Sequence, residues 1–327
     1  MPAVETVRGP VDVAELGSTL MHEHVFVVST EYVDNYGAGA WWDEEERVAD
    51  AVARLSELRD RGISAIVDPT VWGLGRYIPR IQRIAEQVPG LTIIVATGLY
   101  TYNNIPMQLE YRGPGTIYGG PEPMVTDFTR DIVDGIGATG VKAALLKCCV
   151  EAQGRTPGVE RVAKAVAATH RETGTPITVH TSAAAQTGRQ ALDLFNSEGV
   201  DLTKVVVGHA GDSNDLDYLM ELADTGAILG MDRFGLDVFN PTADRVRTIA
   251  ALCARGYADR LVLSHDASCY MDWFGPDAGT ILAMAPKWNY LHISDDVLPA
   301  LRALGVTDAQ IDQMLVENPK RYFSKAS

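Results

Sequence analysis

Five side chains in this sequence are of the types that build a metal centre, His22, His24, His180, His209 and Asp266, and Lys147 stands among them as an odd sixth. The first two stand one residue apart in "STLMHEHVFV", a stretch that otherwise reads as a strand entering an apolar core. Side chains alternate along a strand, so His22 and His24 share a face and Glu23 takes the other. Two imidazoles converging on one point begin a divalent-ion site. A lone buried histidine is more often structural, so the reading depends on where the other four residues fall.

They fall at strand ends. "DEEERVADAVARLSELRDRG" reads as a helix, acidic in its first turns and closed by Gly62, as the helix dipole and C-capping prefer. The strand "ISAIVDPT" follows, then a helix through "RYIPRIQRIAEQVPG" and the strand "LTIIVATG". The alternation continues through "VKAALLKCCV", "TPITVHTS", "TKVVVGHAG", "AILGMDRFG" and "DRLVLSHDAS", with amphipathic segments between them. Eight strands and seven helices, with no linker or composition shift, predict one domain over residues 1–327. Continuously apolar strands are buried on both faces and pair in parallel, and eight such repeats close into a (β/α)8 TIM barrel. Binding sites in that fold form at the C-terminal strand ends, where Lys147, His180, His209 and Asp266 all stand. Closing the ring brings them to one mouth with His22 and His24. Imidazole and carboxylate with open positions are the donors that catalytic zinc-type ions take.

Lys147 is out of keeping with that set, because an ammonium among divalent cations meets like-charge repulsion. Either its stem packs away and the charge reaches solvent, or its neutral amine captures carbon dioxide and becomes a carbamate able to bridge two ions. Three irregular segments follow strands and so rim the same mouth: "STEYVDNYGAGAWW", "YTYNNIPMQLEYRGPGTIYGGPEP" and "CYMDWFGPDAGTILAMAPKWNYL". Tyr100, just past the third strand, either hydrogen-bonds at the site or packs at the loop base. Arg233, beyond the seventh, is a substrate-side residue or fixes its loop by pairing with a carboxylate such as Asp237. In the last segment Met271, Trp273, Phe274, Ile281, Leu282 and Met284 offer an irregular apolar surface, suited to an acyl chain or to packing. His170 ends a helix, where a cation suits the dipole, and His292 lies in the apolar "NYLHIS"; neither is read as chemical.

Composition narrows the partners. A formal net charge of −15 repels nucleic acid, anionic membrane surfaces and polyphosphates and leaves room for a neutral or cationic small substrate. No signal peptide or membrane-length apolar run is present, so the expected compartment is the cytoplasm. Cys148, Cys149, Cys253 and Cys269 form neither a disulfide framework nor a zinc pattern and read as reduced thiols, with only a weak case for chemistry at Cys269.

"GSTLMHEHVF", "LLKCCV", "TPITVHTS", "VVVGHAGDSNDLDYL", "GMDRFGLD" and "LVLSHDA" together resemble the phosphotriesterase family of the amidohydrolase superfamily over nearly the whole chain. Within it, "GLYTY" and "MDRFG" are similar to the phosphotriesterase-like lactonases. The resemblance implies a binuclear site in which His22, His24 and Asp266 hold the more buried ion and His180 and His209 the more exposed one. Carboxylated Lys147 bridges the two. Zinc is the first choice of metal, with cobalt, iron or manganese as alternatives. The implied activity is hydrolysis of lactones, including N-acyl homoserine lactones, by a metal-bridging hydroxide, with promiscuous action on organophosphate triesters and a role in quorum quenching. Asp266 would carry the proton, with Tyr100 and Arg233 bordering the lactone. A phosphotriesterase or carboxylesterase is the alternative activity, and a non-catalytic metal-binding barrel the alternative of another class. A homodimer is also implied. One departure is Ser182, which stands where the family often has a second histidine, as in HTHA; it bears on the pocket and not on the ligand set.

Overall fold

Unbroken apolar runs cannot leave one face in water, and eight of them in this chain pair in parallel with nearly every residue buried. In the computed structural model, which describes residues 2–37, 39, 42–274 and 278–324, they are β1 (Thr19–Leu20), β2 (Ala65–Asp68), β3 (Thr92–Gly98), β4 (Leu145–Val150), β5 (Ile177–Thr181), β6 (Val205–Gly208), β7 (Ile228–Met231) and β8 (Leu261–Leu263). The sheet runs in sequence order from β1 to β8, each neighbouring pair parallel. Met21 N–H donates to the Leu263 carbonyl at 3.3 Å, so the first strand's end meets the last and the ring closes. The expected (β/α)8 barrel is the observed one.

Seven helices separate successive strands: α1 (Glu44–Asp60), α2 (Ile78–Gln87), α3 (Pro123–Val133), α4 (Pro157–Thr173), α5 (Thr187–Ser197), α6 (Leu216–Asp224) and α7 (Thr242–Ala254). Local chemistry sets their ends. Asp43 caps α1 by accepting the Glu46 N–H at 2.8 Å, and three glutamates face the dipole in its first turn. Thr156 caps α4, which ends at Gly174 in the left-handed conformation. No helix among the described residues is long and apolar enough to cross a membrane.

Alternation divides the core. Ala65, Val67, Ile94, Ala96, Leu145, Val206, Ile228 and Val262 fill the barrel, while Ile66, Ile93, Val95, Leu146, Val207 and Leu229 pack outward among the residues of the helix layer. Two residues beyond Leu145 the inward position is Lys147, and two beyond Thr178 it is His180. The barrel's floor is apolar and its C-terminal layer is ionisable.

Two expectations change. Residues 18–27 do not form one strand: β1 stops at Leu20, and His24–Val27 pairs in parallel with Ser268–Met271 as a separate ladder. The cause is competition for backbone groups. Between the two pieces the His22 N–H goes to Ser264 Oγ (2.7 Å), the Glu23 N–H to the Val67 carbonyl (2.9 Å) and the His24 N–H to the Ala267 carbonyl (2.8 Å). The loops also hold short helices at Thr30–Tyr36, Met107–Glu110 and Ala278–Met284.

Gly98 tests how closely β3 and β4 must approach. Its φ is +141°, and a Cβ there would stand 1.9 Å from the Lys147 carbonyl oxygen. We expect Gly98→Ala to cost about 3 kcal/mol or more, strain added to overpacking. Gly137→Ala, also at positive φ (+59°) but with nothing within 4 Å, should cost about 1 kcal/mol. Urea unfolding of the two variants decides it: equal midpoints would mean that β3 and β4 move apart freely.

Candidate metal centre

All six residues singled out in the sequence meet at the C-terminal mouth. Asp266 Oδ1 lies 3.4 Å from His22 Nε2 and 3.3 Å from His24 Nε2. His180 Nδ1 and His209 Nε2 face each other at 2.9 Å, and Asp266 Oδ2 is 3.9 Å from the latter. Lys147 Nζ is 3.2 Å from His22 Nε2. Two of the set hold left-handed backbones, His209 (φ 65°) and Asp266 (φ 54°), just past β6 and β8. Such conformations persist only where surroundings enforce them. The His209 N–H is taken by Asp232 Oδ1 at 2.8 Å and the Asp266 N–H by the His22 carbonyl at 3.0 Å.

Residues not singled out in the sequence orient the rings. Asp232 accepts from Nδ1 of both His22 (Oδ2, 3.1 Å) and His209 (Oδ1, 2.9 Å). Thr70 Oγ1 is 2.7 Å from His24 Nδ1 and is itself held by Asp68. Glu151 Oε2 is 2.5 Å from His180 Nε2. Each ring thus has one nitrogen occupied from behind and the other turned to the centre, the arrangement that fixes a ligand's tautomer. His22, His24 and Asp266 form one candidate ligand group, and His22, His209 and Asp232 another. In the second, Asp232 already bonds both Nδ1 atoms, so it supports the rings. Asp68 ends β2 and Asp232 directly follows β7, so a census of all eight strand ends contains the signal for both. Glu151 lies four residues beyond Lys147, with no comparable signal.

The electrostatics fit a cation. Lys147 is 1% exposed, and among the described residues no carboxylate pairs with it. Burial lowers its pKa, favouring the neutral amine that carbamate formation needs. Burial also lowers His180, to about 4, and His209, keeping both as the neutral imidazoles that bind metals. Asp266 stays well below the usual carboxylate range: burial opposes this, but His22 and His209 outweigh it. His24 is pushed up to about 9, because Asp266 and Asp68 overcome its burial. In the protein alone a proton supplies the positive charge this corner requires. Imidazole nitrogens and a carboxylate without a paired lysine fit divalent transition ions.

Arg233 donates from Nε to Asp266 Oδ2 and from Nη1 to Asp212 Oδ2, both at 3.0 Å. The pairing with Asp237 raised by the sequence is not formed: Asp237 instead accepts from the Thr242 N–H (2.9 Å) and hydroxyl (2.6 Å) at the start of α7. Tyr100 OH is 3.2 Å from His180 Nδ1 and 3.0 Å from Tyr102 OH, at the site and not at the loop base. These groups floor a cavity of about 650 Å³ whose walls include Met271, Trp273, Phe274 and Met284. Leu282 lines a neighbouring crevice, and the side chain of Ile281 lies outside the described residues. Cys269 is buried, and burial pushes its thiol up to about 12, which removes it as a nucleophile. His170 and His292 are structural, held by the Thr175 carbonyl and Asp296.

These environments predict how the stability of the metal-free protein changes with pH. His180, His22 and His209 are neutral when folded but bind protons near pH 6.5 when unfolded, so stability falls as pH drops from 6.5 toward 4. His24 contributes stability that is complete below 6.5 and lost as pH rises toward 9. Urea midpoints of chelator-treated protein should fall as pH drops from 6.5 toward 4, and above 6.5 the His24 loss is opposed by the lowered Lys147, so the rise should flatten there; midpoints unchanged between pH 6.5 and 4 would contradict the assignment.

The chain has relatives over nearly its whole length. The sequence profile of the Phosphotriesterase family matches residues 2–323. A "Phosphotriesterase homology protein" of Mycobacterium tuberculosis is 55% identical over 325 residues, spanning 99% of this chain and 98% of the relative. An "Aryldialkylphosphatase" of Saccharolobus solfataricus is 34% identical over 317 residues, spanning 97% and 98%. A solved structure of the phosphotriesterase from Mycobacterium tuberculosis superimposes with a TM-score of 0.95 at 54% identity, covering 99% of each chain. With its barrel and its histidine–aspartate clusters, the chain belongs to the phosphotriesterase family of the amidohydrolase superfamily and is a metal-dependent hydrolase.

Proposed function

We propose that the enzyme hydrolyses uncharged esters, phosphotriesters first, at a binuclear centre. His22, His24 and Asp266 would hold one ion, His180 and His209 the other, and carboxylated Lys147 would lie between them, with zinc the first metal to try. The observation that carries the substrate class is the charge balance of the cavity. Arg233, a fixed cation facing it, is already engaged by Asp266 and Asp212, and apolar side chains make the walls. Beyond the ions themselves, a phosphate monoester dianion would find no unpaired arginine in the lining, whereas a neutral triester or lactone loses little on leaving water. The names of the relatives from M. tuberculosis and S. solfataricus support the triester.

Bound divalent cations supply Lewis-acid polarisation and a water nucleophile at neutral pH. The chain's own groups do the rest. Asp266, ionised throughout the neutral range, accepts a proton and delivers it to the departing oxygen. Tyr100, whose hydroxyl is raised well above its ordinary value by burial, remains a donor and stands 3.2 Å from His180 Nδ1, in the lining that a substrate's oxygen would meet. Leu236, Phe239, Trp273 and Met284 give the cavity an apolar wall that a bound substrate would cover.

Lactone hydrolysis is the second reading. It is favoured by the Tyr100 hydroxyl at His180 Nδ1, placed for a carbonyl oxygen, and by the same wall, placed for an acyl chain. A homodimer in the cytoplasm completes the proposal. Exposed Met107, Tyr111, Ile117 and Tyr118 on the segment after β3 offer apolar surface for a second copy.

A panel of a paraoxon-type triester, γ- and δ-lactones of short and long chain and an aryl carboxylate ester separates the readings. A chelator should abolish turnover on all of them, and zinc or cobalt should restore it. The triester is expected to have the highest kcat/KM, and a lactone ahead of it would make the second reading the first. Asp266→Asn should lower kcat by about 10²- to 10⁴-fold on every substrate; near-normal turnover at full metal content would remove its assigned role.

Tyr100→Phe separates the substrates. A planar carbonyl becomes tetrahedral and gains from a directed donor, whereas a triester is tetrahedral from the start. We expect roughly a tenfold loss in kcat/KM for a lactone and a smaller one for the triester. Equal losses at unchanged metal content would show that Tyr100 shapes the site without choosing between them.

A further inference from the structure

Glu23 and His265 belong to neither the cavity lining nor the candidate ligand groups, yet both are fully buried and both adjoin ligand candidates in sequence. Glu23 stands between His22 and His24, and His265 precedes Asp266. Their side chains meet on the far side of the site, with Glu23 Oε1 2.7 Å from His265 Nδ1. The same oxygen accepts the His265 backbone N–H at 2.8 Å, and Oε2 accepts the Ala267 N–H at 3.1 Å. His265 Nε2 in turn accepts the Ile293 N–H at 2.9 Å, so the ring's proton is on Nδ1 and points at the carboxylate.

Three donors therefore converge on one buried carboxylate, and two of them are the backbone N–H groups either side of Asp266. Backbone N–H groups flanking a left-handed residue form a concavity that takes an anion. Without an anion there, both would be buried without a partner, at a cost that a positive φ at Asp266 cannot bear. The intervening Asp266 N–H is fixed separately by the His22 carbonyl, and the His24 N–H by the Ala267 carbonyl. Trp288 Nε1 closes the outer side, 3.1 Å from the His265 carbonyl and 3.2 Å from that of Asp266.

We infer that Glu23, with His265 as its partner, is a positioning residue for the metal centre: its carboxylate holds residues 265–267 so that Asp266 keeps the backbone that aims Oδ1 at His22 and His24. The inference rests on reading those three residues as ligands of one ion. Glu23 faces away from that ion and contributes neither a ligand atom nor a proton to substrate.

The test uses cobalt as the probe. Metal-free wild type, Glu23→Gln, His265→Asn and His265→Leu are titrated with Co²⁺, followed by visible absorption and by bound-metal analysis, with circular dichroism as the fold check. Glutamine has the same shape but must turn an N–H₂ toward at least one of the three donors. We expect its cobalt affinity to fall about 10- to 100-fold, with a changed absorption band. His265→Leu should behave likewise, whereas His265→Asn, whose amide nitrogen can replace the Nδ1 donor, should stay close to wild type. Wild-type affinity and spectrum in both Glu23→Gln and His265→Leu overturn the inference while leaving the metal reading standing. A wild-type chain that takes up no cobalt overturns both. If Glu23→Gln does not fold, the histidine pair decides: asparagine tighter than leucine supports the role, and equal affinities overturn it.

Discussion

The site depends on the junction where the two ends of the barrel meet. The bond from the His22 N–H to Ser264 Oγ joins residues 242 apart, and the Met21–Leu263, Asp266–His22 and His24–Ala267 backbone bonds lie beside it. A parallel ring closes only when its last strand reaches its first, so loop-closure entropy must be met before any of these contacts forms. His22 and His24 thus share space with Asp266 only when the two ends of the barrel are brought together. The broken first strand follows from the same junction. Residues 21–24 give up a regular ladder because the N–H groups of Met21, His22 and His24 fasten β8 and the turn after it, while that of Glu23 goes to Val67 of β2.

Burying so many ionisable groups at one place is tolerable because most of them are answered by an opposite charge or a hydrogen bond. Asp266 is answered by Arg233, Arg233 also by Asp212, and Asp212 also by Arg245, whose Nη2 is 2.6 Å away. Charge alternates along this chain from the centre outward. Since Arg233 is permanently protonated, it holds Asp266 ionised and fixes its direction without taking part in proton exchange. The same alternation leaves the cavity floor close to neutral apart from the ions it would hold, which is why its walls can be apolar.

The barrel was legible because a buried parallel strand has a simple signature, an unbroken apolar run between amphipathic segments, and all eight carry it. The ligand candidates were legible because the fold turns sequence position into place: a polar residue at a strand's C-terminal end arrives at the mouth whatever its neighbours are. Applied to β2 and β7, the same rule reaches Asp68 and Asp232. The rest was not legible because it consists of partner choice. Whether Arg233 takes Asp237, five positions from the nearest α7 residue it caps, or Asp212 and Asp266 depends on where three loops finish. Glu23 looked like the unused face of a strand, and only the turn after β8 gives its carboxylate three donors. Thr30–Tyr36 has no buried residue at all, so no apolar stripe announces that helix.

Ser182 shows how support for a ligand can move between strands. Ser182, the residue in place of the family's frequent histidine, is the least of the influences that hold the Glu151 carboxyl down to about 2, after the larger effect of His180 itself. Glu151 in turn fixes His180 Nε2 and leaves Nδ1 facing His209. The Ser182 N–H goes to Thr187 Oγ1 at 2.8 Å, and that hydroxyl donates to the Val150 carbonyl at 2.5 Å, so the ends of β4 and β5 are sewn together twice. The orientation of the β5 histidine is consequently set from the end of β4, four residues beyond Lys147. Because Lys147 and Glu151 share that strand end, the proposed bridging group and the proposed ligand of the exposed ion cannot shift independently. A rigid β4, pressed against Gly98 on its other side, is the condition for both.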